Sequence, residues 1–148
     1  MVPSMLPVPL DLIREIDRLW DPVYPYLARH IREMYGRADG KILEMGPFCG
    51  VIFTLITQGI GSSFSIGAFP KGMDDFFRQE ARRRKMEAKI EIMETDPSLR
   101  GVGENRIDLA LFRGAFFFPS LFRVNFSEIH RVLRTDGMAW IGGGFGKY

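Results

Sequence analysis

The sequence has 148 residues, 46% apolar and 26% charged, and its 20 basic and 18 acidic side chains leave a formal charge of +2. That is one domain's length with ordinary globular composition, able to bury a core without a staple, which argues against long disorder. So weak a charge gives no electrostatic case for nucleic acid, and Cys49 alone excludes a disulfide framework or a Cys-rich zinc site.

Residues 1–9 read as a Pro-rich arm without the basic n-region of a signal peptide, and no stretch nears the ~20 apolar residues of a spanning helix, so the cytoplasm is the expected location. Asp11 precedes Leu12, Ile13, Ile16, Leu19 and Trp20, an amphipathic helical spacing. After Pro22 the spacing of Val23, Leu27, Ile31 and Met34 predicts a second helix with Gly36 as C-cap. Ile42-Leu-Glu-Met45 is a short strand, followed by the turn Gly46-Pro-Phe-Cys-Gly50 and an apolar helix over Val51–Gln58. Ser63–Phe69 is a second strand, and Pro70 and Gly72 open a helix to about Met86. Asp74 and Asp75 stand in its first turn and Arg82 to Lys85 in its last, as the helix dipole favours. Lys89–Met93 is a third strand, Glu94–Arg106 a polar loop and Ile107–Phe112 a fourth strand. Phe122–Leu133 is a helix with Phe122, Phe126, Ile129 and Leu133 on one face. Asp136-Gly137 turns the chain into a fifth strand, Met138–Ile141.

Strands alternating with helices imply an α/β chain with a doubly wound, mainly parallel five-stranded sheet and helices on both faces. Residues 1–148 form a single domain, with an N-terminal arm and helices over 1–36 and the sheet core over 41–148. Such a sheet binds ligands beyond the C-terminal ends of its strands. The turn after the first strand is therefore the place to look: glycine there admits a ligand to the backbone, and the N–H groups of the next helix favour an anionic group.

That turn, Glu44-Met45-Gly46-Pro47-Phe48-Cys49-Gly50, resembles the first motif of class I S-adenosylmethionine-dependent methyltransferases, an acidic residue followed by alternate glycines. Ile107–Gly114 is similar to that family's fourth strand and following loop. Phe126–Gly137 is similar to its helix before strand five, and Gly142–Gly146 to the end of that strand. The resemblance spans roughly residues 20–146. It implies S-adenosylmethionine as cofactor, with Glu44 meeting its amino group or ordering water there. Gly46 and Gly50, within the turn formed by Met45, Pro47 and Phe48, would admit the methionine moiety. Thr95 and Asp96 would stand near the adenine, and Arg113 and Gly114 would line the far side of the pocket. No catalytic base and no metal are implied, since methyl transfer is an in-line displacement in which positioning does most of the work.

Three departures from the family pattern stand in the sequence. Phe48 occupies the middle glycine position, Gly67 the place of the ribose-binding carboxylate, and the chain stops after strand five, without the usual last two strands. Two readings follow: methyl transfer to a small-molecule acceptor, or a non-catalytic relative with an eroded cofactor site that acts through assembly. The nucleobase-amine motif is absent after strand four, where Phe112-Arg-Gly-Ala-Phe116 stands, so no nucleic-acid or membrane partner is expected. A nicotinamide dinucleotide fits worse, because Gly46-x-x-x-Gly50 lacks the required spacing. An uncovered fifth strand is a pairing hazard; a homodimer or another chain is expected to cover it, helped by Phe116–Phe118.

Plainer roles are expected elsewhere. Arg82–Lys85 reads as a solvated helix end, His130 as a surface or satisfied residue, and Asp108 as structural. Cys49 reads as a passive small residue, although a helix N-terminus lowers a thiol's pKa.

Overall fold

The computed structural model describes residues 10–116 and 123–142. The Pro-rich arm, Phe117, Phe118, Phe122 and the tail after Gly142 lie outside the described residues. The elements run α1 (Leu10–Trp20), a 3-10 turn (Asp21–Val23), α2 (Tyr24–Tyr35), β1 (Lys41–Gly46), α3 (Val51–Thr57), β2 (Ser63–Ala68), α4 (Met73–Arg83), β3 (Ile90–Glu94), β4 (Ile107–Arg113), α5 (Phe126–Val132) and β5 (Leu133–Gly142).

The five strands form one sheet in the order β3-β2-β1-β4-β5, and every neighbouring pair is parallel. α1 to α4 pack on one face, over Ile42, Ile66, Leu109 and Leu111. The other face, formed by Leu43, Met45, Ala110 and Phe112, is covered by Ile129 and Val132 of α5 and by Leu99 and Val102 of the 95–106 loop. Strand alternation sends successive side chains of β1 and β4 to opposite layers, so the central strands read as continuous apolar runs.

Two apolar stripes differ from the sequence expectation. On α2 the buried residues are Tyr24, Leu27, Ala28, Ile31 and Tyr35, whereas Met34 is 54% exposed. The stripe is turned by about one residue, because the aromatic Tyr24 and Tyr35 outcompete Val23 and Met34 for the core. Gly36 caps α2 in the left-handed conformation, φ 69°, as its position predicts. On α1 the inner face carries Ile13, Ile16, Asp17 and Trp20, and Leu19 points to solvent at 72% exposure. Asp17 is buried on this apolar stripe, where it meets the buried Arg113.

α5 is shorter than expected, Phe126–Val132, with Asn125 accepting a hydrogen bond from the Glu128 amide as N-cap, and Phe126 is exposed rather than inward. β5 starts earlier than expected, at Leu133. Its register against β4 shifts between Ile107 and Leu109, beside Asp136 at φ 67°. Asp136-Gly137 therefore makes a bulge inside the strand and not a turn before it. A side chain at Gly137 would meet the Arg134 carbonyl at 2.8 Å. No helix among the described residues is long and apolar enough to cross a membrane.

Candidate functional site at the turn after the first strand

β1 and β4 are adjacent, and Glu44 lies opposite Leu111. Alternation places Glu44 on the same face as Ile42, and Arg113 on the same face as Leu109 and Leu111. Both charges therefore enter the layer of α1 to α4, at the C-terminal end of the sheet. β1 ends at Gly46, whose φ of 100° suits glycine and whose added Cβ would meet the Phe112 ring at 3.1 Å. Pro47, Phe48 and Cys49 then carry the chain to Gly50, the N-cap of α3.

Around this turn the N-terminal helices contribute the rest. Arg113 is fully buried. Its Nη2 donates to Asp17 Oδ1 at 3.2 Å and to the Tyr24 hydroxyl. Tyr24 donates in turn to Asp17 Oδ1. The guanidinium carbon lies 4.7 Å from the Tyr24 ring centroid, 5.2 Å from that of Trp20 and 5.3 Å from that of Phe48. Three π-faces and one carboxylate thus enclose the cation. Glu44, also fully buried, accepts from the Ile52 amide through Oε1 at 3.0 Å.

This cluster is incompletely satisfied. Glu44 Oε2, Asp17 Oδ2 and Arg113 Nε and Nη1 are buried without a hydrogen bond to the described residues. Such groups each cost about 1–3 kcal/mol, more when charged. Burial pushes the Glu44 carboxyl up to about 8, against the pull of Arg113 and the Ile52 amide. Burial likewise raises Asp17 to about 7, opposed by Arg113 and the Tyr24 hydroxyl. One guanidinium faces two carboxylates. Asp17 makes the direct contact, so Glu44 is the one that keeps its proton to higher pH.

The residues expected at the site fall into two groups. Glu44, Phe48, Gly50 and Arg113 gather on the α1 to α4 side, and Gly46 and Pro47 carry the chain there, but the Met45 side chain points into the opposite layer with Leu43 and Phe112. Thr95 and Asp96 sit across β2, at the end of β3. The Thr95 hydroxyl donates to the Arg100 carbonyl at 2.7 Å. Asp96 accepts from the Ser98 amide at 2.8 Å and from the Ser98 hydroxyl, which holds its carboxyl below the usual range. This is a local Asx turn. Thr95 Cγ2 lies 3.0 Å from where a Cβ on Gly67 would stand, so the end of β2 offers no carboxylate and little room for one. The Cys49 thiol is passive, as expected: burial outweighs the helix terminus and raises its pKa well above normal, and it donates to the Gly46 carbonyl at 3.1 Å. Asp108 is structural, accepting from the Lys41 amide at 2.8 Å.

Asp17, Trp20 and Tyr24 were not singled out from the sequence. The available signal was an acid at the centre of the Ile13–Ile16–Trp20 stripe, where a charge is stable only if a partner waits inside.

The hollow over Gly50 is filled. A Cβ there would lie 2.2 to 2.7 Å from the Tyr24 ring and hydroxyl. Gly50→Ala should therefore destabilise the fold by about 1–3 kcal/mol by overpacking, read as a lowered urea midpoint. An unchanged midpoint would show that Tyr24 does not rest on this glycine.

No family model matches the chain, and no curated protein does. Solved structures do. A protein assigned as an S-adenosyl-L-methionine-dependent methyltransferase from Methanococcus maripaludis superposes with a TM-score of 0.79 at 28% identity, over 93% of this chain and 63% of that one. The chain has the class I methyltransferase fold. The same fold recurs in the geranyl diphosphate C-methyltransferase of Streptomyces coelicolor, with a TM-score of 0.61 at 17% identity, over 82% of this chain and 45% of that one. It recurs too in a protein assigned as a sarcosine dimethylglycine methyltransferase from Galdieria sulphuraria, with a TM-score of 0.63 at 17% identity, over 79% and 43%. The chain spans less than two thirds of the length of each. Within this methyltransferase fold Glu44 stands in β1 and Arg113 at the end of β4, beside the turn after β1, and methyl transfer is the chemistry of its structural neighbours.

Proposed function

We propose that this chain binds S-adenosylmethionine at the turn after β1 and takes part in methyl transfer to a small-molecule acceptor. The observation that carries this reading is the pair of unmet polar groups there. Glu44 Oε2 lacks a donor and Arg113 Nε and Nη1 lack acceptors, all buried at the same strand ends. The amino-acid end of the cofactor brings an ammonium and a carboxylate, which match an acceptor beside a fixed cation. The cofactor supplies a methyl group on a sulfonium; the chain supplies the rest. Glu44, ionised, would accept from the ammonium together with Asp17, whose Oδ2 is also unmet. Arg113 would hold the carboxylate. Trp20 and Phe48 keep water out.

Isothermal titration with S-adenosylhomocysteine tests this. A saturable heat at micromolar to millimolar ligand is expected, weakening as the pH falls below about 8 because Glu44 takes up its proton. No saturable heat at pH 8 would sink the proposal.

A second reading, a methyltransferase fold kept for assembly without cofactor, is favoured by two observations. Phe48 is fully buried at the middle glycine position, and Gly67 supplies no carboxylate to the ribose hydroxyls. Missing charged hydrogen bonds are worth about 1.5–3 kcal/mol each. The same titration decides between the two readings.

A further inference from the structure

Resting on that reading, we propose that Tyr24 is an internal stand-in for the ligand: it occupies the closed hollow, and its ring moves into the adjoining cleft between α1, α3 and α4 when ligand binds. The Tyr24 hydroxyl donates to Asp17 and accepts from Arg113. One neutral oxygen thus engages a carboxylate and a guanidinium together, as the ammonium and carboxylate of an amino acid would engage them separately. Its ring meanwhile fills the space over Gly50.

The ring has a place to go. A cleft of about 290 Å³ adjoins it, lined by Tyr24 and Gly50 themselves together with Asp17, Phe53, Phe76 and Phe77. That is close to ten times the ~30 Å³ share of one water, ample for a phenol. The aromatic walls would receive the ring by edge or offset contact. Tyr24 is the first residue of α2, ahead of Pro25. A helical tyrosine has two common χ1 wells, so the swing needs a rotamer change and not an unfolded helix. Leaving the hollow breaks two charge-assisted hydrogen bonds, which the ligand then replaces.

Stopped-flow and equilibrium binding of S-adenosylhomocysteine test the stand-in, followed by Trp20 fluorescence, since Trp20 lies against Arg113. Tyr24→Phe keeps the ring and removes both hydrogen bonds, so affinity should rise roughly tenfold. Tyr24→Ala should raise it further and quicken association. Phe76→Trp fills the cleft; it should slow association about tenfold in the Tyr24 protein and leave the Tyr24→Ala protein unchanged. Thermal melts confirm that each variant is folded, and Tyr24→Phe carries the test alone if Tyr24→Ala is not. Binding by the parent protein with no gain in Tyr24→Phe overturns the stand-in and leaves the cofactor reading intact. An equal effect of Phe76→Trp in both backgrounds overturns the cleft's role. If neither the parent nor Tyr24→Phe binds at millimolar ligand, the cofactor reading itself fails and the stand-in with it.

Discussion

Arg113→Met should destabilise the fold by about 3–5 kcal/mol, the cost of leaving a buried charge without its partner. Arg113 is enclosed by Asp17, Tyr24, Trp20 and Phe48, with Glu44 on the same face of the neighbouring strand. Methionine keeps much of the volume, so the loss is electrostatic more than a cavity. Asp17 and Glu44 would then face each other's field with no cation between them, and both would hold protons more tightly. The loss should accordingly be larger at pH 8 than at pH 5. Adding Asp17→Leu should recover most of it, because removing both members of a buried pair is often near neutral. Urea denaturation at the two pH values measures this. A loss below about 1 kcal/mol, or one independent of pH, would mean that the guanidinium does not organise the cluster.

The second large effect concerns Glu44. Its folded pKa, about 8, stands above the ordinary carboxyl value of 4.5. The folded chain therefore binds this proton more tightly than the unfolded chain does. Stability from this group is greatest below about pH 4.5, declines as the pH rises, and is lost above about pH 8. At one pKa unit per 1.36 kcal/mol, the decline amounts to a few kcal/mol. Asp17, raised to about 7, adds in the same direction. Glu44→Gln removes the ionisation while keeping a group able to accept from the Ile52 amide. It should stabilise the ligand-free protein at pH 8 by a few kcal/mol and flatten the pH profile. The same change should weaken S-adenosylhomocysteine at least tenfold, because glutamine cannot match a carboxylate for an ammonium. A structural glutamate would behave oppositely, its amide variant losing stability. Thermal melts from pH 5 to 8 and a parallel titration separate the two. If Glu44→Gln lowers stability at pH 8, the unmet carboxylate is not the feature proposed for it.

The apolar runs Ile42–Met45 and Ile107–Phe112 and the glycines at 46, 50 and 72 carry local information, and they placed strands, turns and helix starts well. Short elements fared less well. α5 begins at Phe126 because the Asn125 side chain caps it there, and the longer apolar spacing around it reads past that stop. β5 absorbs Asp136-Gly137 as a bulge because β4 supplies a ladder to continue, something a turn dipeptide cannot report by itself.

The sequence alone determined the layer arrangement, the parallel sheet and the turn that gathers Glu44, Gly46 and Gly50, because these follow from periodicity and backbone sterics between near neighbours. Only the tertiary structure decided what fills that turn. Asp17 and Tyr24 reach Arg113 across 96 and 89 residues, and no local pattern encodes which distant side chain occupies a hollow. Burial then sets the protonation of Glu44 and Asp17, since desolvation depends on everything packed around a group and not on its neighbours in the chain.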